Sequence, residues 1–347
     1  MTPALRVVAP GMLTTVQDLG RTGFQHLGVA VGGALDPVSL QAANALAGNP
    51  PGTGALEVAY MGPTLVAEAD DVRLAFAGAD AAIALLDDED AADGVRLDGM
   101  RSVRLRRGEA VRIGSLVGAN VLYVAVEGGF AIAPVLGSVS TYIRGGFGGW
   151  HGRALMAGDR LPLVRESARA REEWRLDGLD LRPPPRIRVI AGPQDDYFSD
   201  RAIATFCASD YTVCAGSDRM GMRLGGPPIA HLRGFNITSD AIAPGAVQIP
   251  GNGQPIVLLA DRQTTGGYPK IATVISADLP ALGRLPIGAR IGFTPITLEA
   301  AAAARRALLA EIAGLPARIV PLRVCGADIA PRLMDRNLIS GVVNAYG

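Results

Sequence analysis

The chain has 347 residues, of which 49% are hydrophobic, and its 33 acidic side chains balance its 33 lysines and arginines. This balance leaves no basic face or arm of the kind that binds nucleic acid, so we expect no nucleic-acid partner. The longest apolar runs are far shorter than the ~20 residues of a membrane helix, and the start of the chain lacks a signal-peptide core. We therefore expect a cytoplasmic protein without a membrane partner.

Short apolar segments separated by turn residues run along the whole chain, which contains 44 glycines and 24 prolines. Segments of this kind are typical of β-strands in sandwiches and barrels. We predict a mainly β fold with strands near residues 5–9, 56–60, 72–76, 103–105, 110–113, 121–126, 186–190, 246–249, 256–260, 271–275 and 289–293.

Four short helices are predicted around these strands. Asp36 and Pro37 form a helix start, and Gly48 ends that helix. The segment 297–313 begins with a capping threonine and stops at Gly314. The other two helices are predicted near residues 199–208 and 277–282.

The chain is long enough for two domains, and a boundary is predicted near residue 182. A charged stretch over residues 165–185 ends there in an arginine and three prolines, a stiff and extended run. We therefore place an N-terminal domain at residues 1–182 and a C-terminal domain, with a terminal helix, at residues 183–347.

The histidines and cysteines do not signal a metal site. The three histidines lie far apart, and the three cysteines, Cys207, Cys214 and Cys325, lack the close spacing of zinc ligands. We expect no metal and interpret the cysteines as small buried hydrophobic residues.

A dense polar loop at residues 261–270 follows an apolar strand. Its adjacent glycines, Gly266 and Gly267, permit close approach to the backbone, and its neutral polar side chains suit an amide or a carboxylate. Lys270 is the only lysine among the 33 basic residues. A lysine fits a tight pocket and can release its proton where an arginine cannot, although an arginine-rich composition could also leave a single lysine by chance.

We predict that this loop lines a cavity for a small amide. The catalytic candidates are Lys270, Asp261 and Gln263. Lys270 would stabilise developing negative charge, while neighbouring polar groups would orient the substrate. The predicted substrate-binding residues of this region are Thr264, Thr265, Tyr268 and Gln248.

Two further polar segments are candidates for binding. Ser217, Asp218 and Arg219 could anchor a carboxylate, or Asp218 and Arg219 could form a structural ion pair that fixes a turn. In the first half, a glycine-rich segment is interpreted as a pliable loop suited to an anion or a partner, with binding residues Ser138, Ser140, Thr141 and Arg144. Nearby, Asp18 and Arg21 are interpreted as structural.

Several common motifs are absent from the sequence. It contains no GxxxxGK[ST] phosphate loop, no GxSxG nucleophile turn and no strand-linked GxGxxG segment. We therefore expect any nucleotide or prosthetic group to enter through another polypeptide.

The order of these segments resembles one protein family. The matched segments are TTVQDLGR (14–21), GALD (33–36), GSVSTYIRGGFGGWHGRAL (137–155), GPQDDYF (192–198), SDRMGMRL (217–224), SDAIAPGAVQIP (239–250), ADRQTTGGYPKIATVI (260–275) and LISGVV (338–343). They resemble the family that contains the C subunit of 5-oxoprolinase, the Kip-type antagonists and the second half of the carboxyltransferase domain of urea carboxylase. One departure is Leu35, where the family usually has methionine, a volume-conserving change.

The resemblance implies two tandem cyclophilin-like β-barrel domains with a few short peripheral helices. It implies the C subunit of an ATP-dependent 5-oxoprolinase that hydrolyses 5-oxo-L-proline to L-glutamate. Its partners would be the A and B subunits of that enzyme, of which the second is Kip inhibitor-like, and ATP would act at the level of the complex. Two alternatives stay open: a biotin-dependent carboxyltransferase component, with biotin carried by another polypeptide, and a non-catalytic antagonist that binds a Kip inhibitor-like partner.

Overall fold

A computed structural model describes residues 2–322, so Cys325 and the segment 338–343 lie outside the described residues. The first half of the chain contains β1 (Ala4–Ala9), β2 (Leu13–Gln17), β3 (Ala55–Ala59), β4 (Thr64–Ala67), β5 (Asp71–Leu86), β6 (Val95–Leu97), β7 (Arg101–Arg106), β8 (Ala110–Val126), β9 (Arg160–Pro162) and β10 (Trp174–Leu176).

The second half contains β11 (Ile187–Ala191), β12 (Asp210–Val213), β13 (Gly221–Gly225), β14 (Asp240–Ala241), β15 (Ala246–Gln248), β16 (Ile256–Leu258), β17 (Thr265–Gly266), β18 (Lys270–Val274), β19 (Arg290–Pro295) and β20 (Ile319–Pro321). The helices are α1 (Pro37–Ala47), α2 (Asp200–Ala208), α3 (Leu279–Arg284) and α4 (Leu298–Ala313), with 3-10 turns at Gln25–Leu27, Ile143–Gly145, Asp195–Tyr197 and Leu315–Arg318. No helix in the described part of the chain is long and apolar enough to cross a membrane.

The first half is built on an eleven-stranded sheet around the long antiparallel pair β5 and β8. Side chains alternate between its faces, as the two-residue period of a strand requires. Leu74 and Phe76 enter the main core, while Ala75 and Ala77 face the other way and pack with Leu40 of α1. The small alanines let the helix lie close to the sheet, so each face of β5 has its own core.

The second half is a closed barrel of seven strands in the order β11-β18-β15-β16-β13-β12-β19. Its centre holds aliphatic and aromatic side chains, among them Tyr211, Val257 and Phe293. Strands β14 and β17 form a separate two-stranded sheet beside the barrel. The loop with the only lysine therefore leaves β16, passes through β17 and re-enters the barrel as β18.

The fold prediction is confirmed, because the chain is mainly β and is consistent with cyclophilin-like barrels. Every predicted strand overlaps an observed one, and the helix caps Asp36, Ser199 and Thr297 accept hydrogen bonds as N-caps do.

Three strands predicted as short in the first half belong to two long ones. The strand predicted at residues 72–76 is part of β5, and those predicted at 110–113 and 121–126 are both parts of β8. Gly78 sits at a bulge with a φ of 123°, so the glycine bends the strand without ending it.

The chain does not divide cleanly at residue 182. The connection between β10 and β11 spans that position, but the chain later returns to the first half. Strand β20 pairs with β10, and Leu315 is buried in the core beneath α1. This returning segment thus packs with the first half, and the division of the chain into domains near residue 182 stays a prediction. Cys207 and Cys214 are partly rather than fully buried, which corrects their interpretation as core residues.

Helix α3 joins the two halves. Its Arg284 donates from Nη1 to Asp36 Oδ2 at 2.9 Å and from Nε to the Leu181 carbonyl at 3.0 Å. Gly283 lies against Leu35, where an added Cβ would stand 2.3 Å from the Leu35 carbonyl oxygen. A glycine is required for this approach, which brings α3 against the start of α1.

We predict that Asp36→Ala destabilises the protein strongly. The buried carboxylate caps the amides of Val38 and Ser39 and pairs with Arg284. Its removal leaves a buried guanidinium without its partner, so the free energy of unfolding should fall by about 3 to 5 kcal/mol. Urea titration would measure this change. The control Thr297→Ala removes an exposed cap and should cost about 1 kcal/mol; equal losses in the two variants would contradict the assigned role of Asp36.

Candidate functional site

A cavity of about 290 Å³ lies between the two halves. Its wall is mainly apolar and includes Leu13 and Ala59 from the first half and Met222 and Leu282 from the second. A polar end is formed by Glu57, Arg144, Ser217, Asp218, Arg219 and Asp261. Apolar walls with a few convergent polar groups are typical of small-molecule sites, so this cavity is the candidate substrate site.

A buried arginine, Arg219, organises the polar end. Its Nε donates to Asp261 Oδ2 at 2.8 Å and its Nη2 to Asp261 Oδ1 at 3.0 Å, so the carboxylate is gripped by two parallel bonds. Its Nη1 donates to Glu57 Oε1, and Nη2 also donates to the Gly33 carbonyl at 2.6 Å. Arg219 therefore connects the loop after β16 with two segments of the first half.

The electrostatics of this cluster fix its charge state. Burial by itself would lower the pKa of Arg219, but the negative charges of Glu57 and then Asp261 raise that pKa above its ordinary value. Arg219 is thus a cation at neutral pH. Its guanidinium is occupied by Glu57 and Asp261, so Arg219 is neither a free carboxylate anchor nor the partner of Asp218, which pairs with Arg144 instead.

Glu57 is itself held in place by the first half. Tyr123 donates its hydroxyl hydrogen to Glu57 Oε2 at 2.5 Å, and the Leu35 amide donates to the same oxygen at 2.8 Å. Both residues are fixed by secondary structure, since Glu57 lies on β3 and Tyr123 opposite it on β8. The first half therefore determines where Arg219, and through it Asp261, can lie.

Arg144 and Asp218 meet at the rim of the cavity. Arg144 Nη2 lies 3.0 Å from Asp218 Oδ2, and both side chains are more than half exposed. Such a pair contributes little stability, because water and salt screen it. Ser217 bonds instead to the backbone of Arg223, donating to its carbonyl and accepting from its amide. The rim pair therefore adds little to the contact between the two halves.

The hydroxyl residues predicted to bind a ligand in the first half are buried. Ser138 and Ser140 donate to Asp18 Oδ1 at 2.6 and 2.5 Å, and Thr141 donates to the Val16 carbonyl at 3.0 Å. Internal hydrogen bonds thus hold residues 138–141 in place, so this part of the segment is not pliable, and the binding role of its hydroxyl groups stays a prediction. Composition alone could not show that Asp18, 120 residues or more away, uses these hydroxyl groups.

Lys270 lies away from the wall of the cavity. Its amine is 2% exposed and donates to Asp240 Oδ2 at 3.0 Å. Gln248 pairs with Lys270 across β15 and β18, and Gln263 Nε2 lies 3.5 Å from Gln248 Oε1. Gln248 Nε2 and Gln263 Oε1 find no hydrogen-bond partner among the described residues.

The structure thus divides the predicted loop between two places. Asp261 belongs to the cavity, whereas Lys270, Gln248 and Gln263 form a separate polar cluster at the end of the barrel. Thr264 is half-buried above this cluster, and the exposed residues nearby are Thr265 and Tyr268. The catalytic roles of the loop residues remain predictions.

Within residues 2–322, no group of three histidine, cysteine or acidic side chains is arranged to hold a metal ion.

Sequence reasoning missed Glu57 and Tyr123. One signal was present, because Glu57 interrupts an otherwise apolar strand, ALEVA, and a charge inside a buried strand is rare unless it is paired. No sequence rule identifies its partner, which lies 162 residues away.

Comparison with known proteins relates the chain to one family. Residues 27–295 match the profile of the carboxyltransferase domain, subdomain A and B. The C subunit of 5-oxoprolinase from Escherichia coli (strain K12) is 38% identical over 304 residues, which cover 87% of this chain and 94% of that protein.

Two solved structures show the same architecture. The structure of TTHA0988 is 36% identical, with a TM-score of 0.74, and the match covers 84% of this chain and 56% of that one. The Kluyveromyces lactis urea carboxylase is 27% identical, with a TM-score of 0.81, over 94% of this chain and 30% of that enzyme. The chain therefore spans only part of both of these proteins.

The buried hydroxyl of Tyr123 predicts a loss of stability in alkaline solution. Burial, followed by the charge of Glu57, raises the pKa of Tyr123 well above its ordinary value of 10.0. Above about pH 10 the unfolded chain ionises this tyrosine while the folded chain keeps the proton. Stability that is fully present below this pH is therefore lost as the pH rises further.

We expect Tyr123→Phe to lose less stability than the wild type when the pH is raised from about 9 to about 11. Urea titrations at both pH values would measure the change. Tyr268→Phe is the matched control, because the Tyr268 side chain is exposed. If the two variants lost the same free energy of unfolding over this range, the assigned environment of Tyr123 would be contradicted.

Proposed function

The chain belongs to the carboxyltransferase family of subdomains A and B, and we propose that it acts as the C subunit of an ATP-dependent 5-oxoprolinase complex. In this complex 5-oxo-L-proline is hydrolysed to L-glutamate. The observation that carries the proposal is the alignment with the Escherichia coli protein, of which 94% is covered. The family match from residue 27 to residue 295 includes Glu57, Arg219, Asp261 and Lys270.

The cavity between the halves supports a small lactam as substrate. Its volume of about 290 Å³ suits a small molecule, and its apolar wall suits the methylene groups of a lactam ring. Asp261 is fixed rigidly by Arg219, so it can orient a polar group without moving. A substrate held in a fixed position reacts faster because its orientation is already set.

Lys270 provides a second element of the proposal. Its amine is buried, whereas its partner Asp240 is half exposed. A companion protein that covered this surface would remove water from the pair and strengthen the field of the amine. We assign Lys270 to stabilise negative charge on a reacting group that the companion protein brings to this cluster, with Gln263 and Gln248 as polar neighbours that orient the group.

ATP acts in this proposal through another polypeptide of the complex. The cavity does not fit a triphosphate, because both of its arginines, Arg144 and Arg219, already pair with carboxylates. A nucleotide would need free cationic groups or a run of backbone amides. The companion A and B subunits, of which the second is Kip inhibitor-like, are therefore assigned to bring ATP to the substrate.

A biotin-dependent carboxyltransferase is the second candidate. It is favoured by the similarity to the Kluyveromyces lactis urea carboxylase, which extends over 94% of this chain with a TM-score of 0.81. Biotin would be carried by another polypeptide. Avidin, which captures biotin, would then block the activity of the assembled enzyme, whereas a 5-oxoprolinase would be unaffected.

We predict that Lys270→Met lowers the turnover of 5-oxoproline by about 100-fold, since it removes a charge aimed at the reaction. The assay uses the chain assembled with the A and B subunits, ATP and 5-oxoproline, and it measures glutamate. Lys270→Arg should not restore the rate, because the broader guanidinium does not fit the buried position.

Asp240→Asn is the control for a purely structural role of the amine. This variant breaks the ion pair with Lys270 but keeps the amine, so we expect it to lose less than about tenfold in turnover. Equal losses in Lys270→Met and Asp240→Asn would show that the pair serves only to hold the loop. No turnover by the wild-type complex would refute the proposed function itself.

A further inference from the structure

Arg21 is a buried arginine that the cluster around Arg219 does not use. It is 1% exposed, its Nη2 donates to the Ser140 carbonyl, and its guanidinium lies 4.9 Å from the centre of the Phe147 ring. Its Nε and Nη1 have no hydrogen-bond partner among the described residues. Asp18, the predicted structural partner, bonds instead to hydroxyl groups and backbone amides. A buried donor without an acceptor is costly, so a ligand that supplied one would bind favourably.

The free Nη1 of Arg21 and Asp261 face the same small volume beside Gly32. An added Cβ at Gly32 would lie 3.2 Å from Arg21 Nη1 and 3.6 Å from Asp261 Oδ1. Apart from Gly32 and its chain neighbours, no other described atom stands within 4 Å of that point. A hydrogen-bond donor and an acceptor therefore border one space that no side chain fills.

The charges around this space favour a neutral ligand. Burial lowers the pKa of Arg21, while the charges of Asp18 and Asp261 act in the opposite direction. Asp261 is also shared with Arg219, which Glu57 further neutralises. The guanidinium of Arg21 thus has negative charge nearby but lacks acceptor atoms at Nε and Nη1. A carbonyl oxygen supplies an acceptor without adding another negative charge to the cluster.

We propose that Arg21 and Asp261 bind the amide group of a lactam, a primary amide or a urea. In these groups the carbonyl oxygen and an N–H lie on the same side of the C–N bond, so the oxygen can accept from Arg21 while the N–H donates to Asp261. The inference rests on the proposed function for its substrate, 5-oxoproline, but the site itself lies within this chain. Arg21 would also polarise the carbonyl group of the C–N bond that the complex has to break.

The test compares two lactams on the wild-type full-length chain. The N–H of 2-pyrrolidinone can donate to Asp261, whereas N-methyl-2-pyrrolidinone has the same ring and carbonyl but no N–H. We expect 2-pyrrolidinone to bind at least about tenfold more tightly, because the methylated ring leaves the carboxylate unsatisfied. Ligand-observed NMR titration would measure both dissociation constants. Equal affinities, or no binding of 2-pyrrolidinone, would overturn the proposal.

Two variants test the residues. Arg21→Met should remove the tenfold preference, while the control Arg201→Met, at an exposed position on α2, should retain it. Gly32→Ala places a methyl group in the space while both polar groups remain, so the folded variant should no longer bind 2-pyrrolidinone. Because Gly32 has a φ of 64°, the alanine also strains the backbone, and urea titration would measure the cost in stability. A preference that persisted in Gly32→Ala or in a folded Arg21→Met would place the amide elsewhere.

The outcome is separable from that of the proposed function. If the assembled complex hydrolysed 5-oxoproline but the chain did not distinguish the two lactams, the function would stand and this site would be wrong. If the chain distinguished the lactams but the complex released no glutamate from 5-oxoproline, the site would stand and the function would be wrong.

Discussion

Arg219 is a buried cation whose hydrogen bonds reach three separate segments of the chain, and the candidate site depends on them. Removing a guanidinium from water is expensive, and the two carboxylates of Glu57 and Asp261 offset that desolvation only because the geometry is good. Glu57 also accepts from Tyr123 and the Leu35 amide, and Asp261 accepts two bonds from Arg219, so each of these charges has a partner. The cluster is therefore stable only when both halves of the chain are in place, which makes the cavity a property of the whole fold.

The surroundings of this cluster explain how a β-rich fold produces a rigid site from loops. Asp261 lies beyond the end of β16, yet it is gripped by Arg219, and the Gly32 amide donates to the neighbouring Ala260 carbonyl at 3.2 Å. Helix α3 adds a second contact between the halves, from Arg284 to Asp36. Relative motion of the halves is opposed at both positions, so the polar groups that face a ligand are held before it arrives, as catalysis by positioning requires.

Local features of the sequence predicted the strands and helices well. They did not predict which side chains that are distant in sequence contact each other. The cap at Asp36, the stop at Gly48 and the apolar periods of the strands depend on neighbouring residues, and each was visible in the chain. The unusual Lys270 was also visible, but its partner Asp240 and its separation from Asp261 depend on how β14, β17 and β18 fold together. The hydroxyl groups of residues 138–141 were visible in the same way, but the sequence did not show that two of them donate to the carboxylate of Asp18.

The claim that Arg219 ties the first half to Asp261 can be tested directly by a double-mutant cycle. Glu57→Gln, Arg219→Met and the double variant would be unfolded in urea, and the interaction free energy calculated from the three changes in stability. A direct, buried charge pair predicts a coupling of at least about 1.5 kcal/mol. Changes that add to within about 0.5 kcal/mol would show that the two residues act independently and would contradict the account.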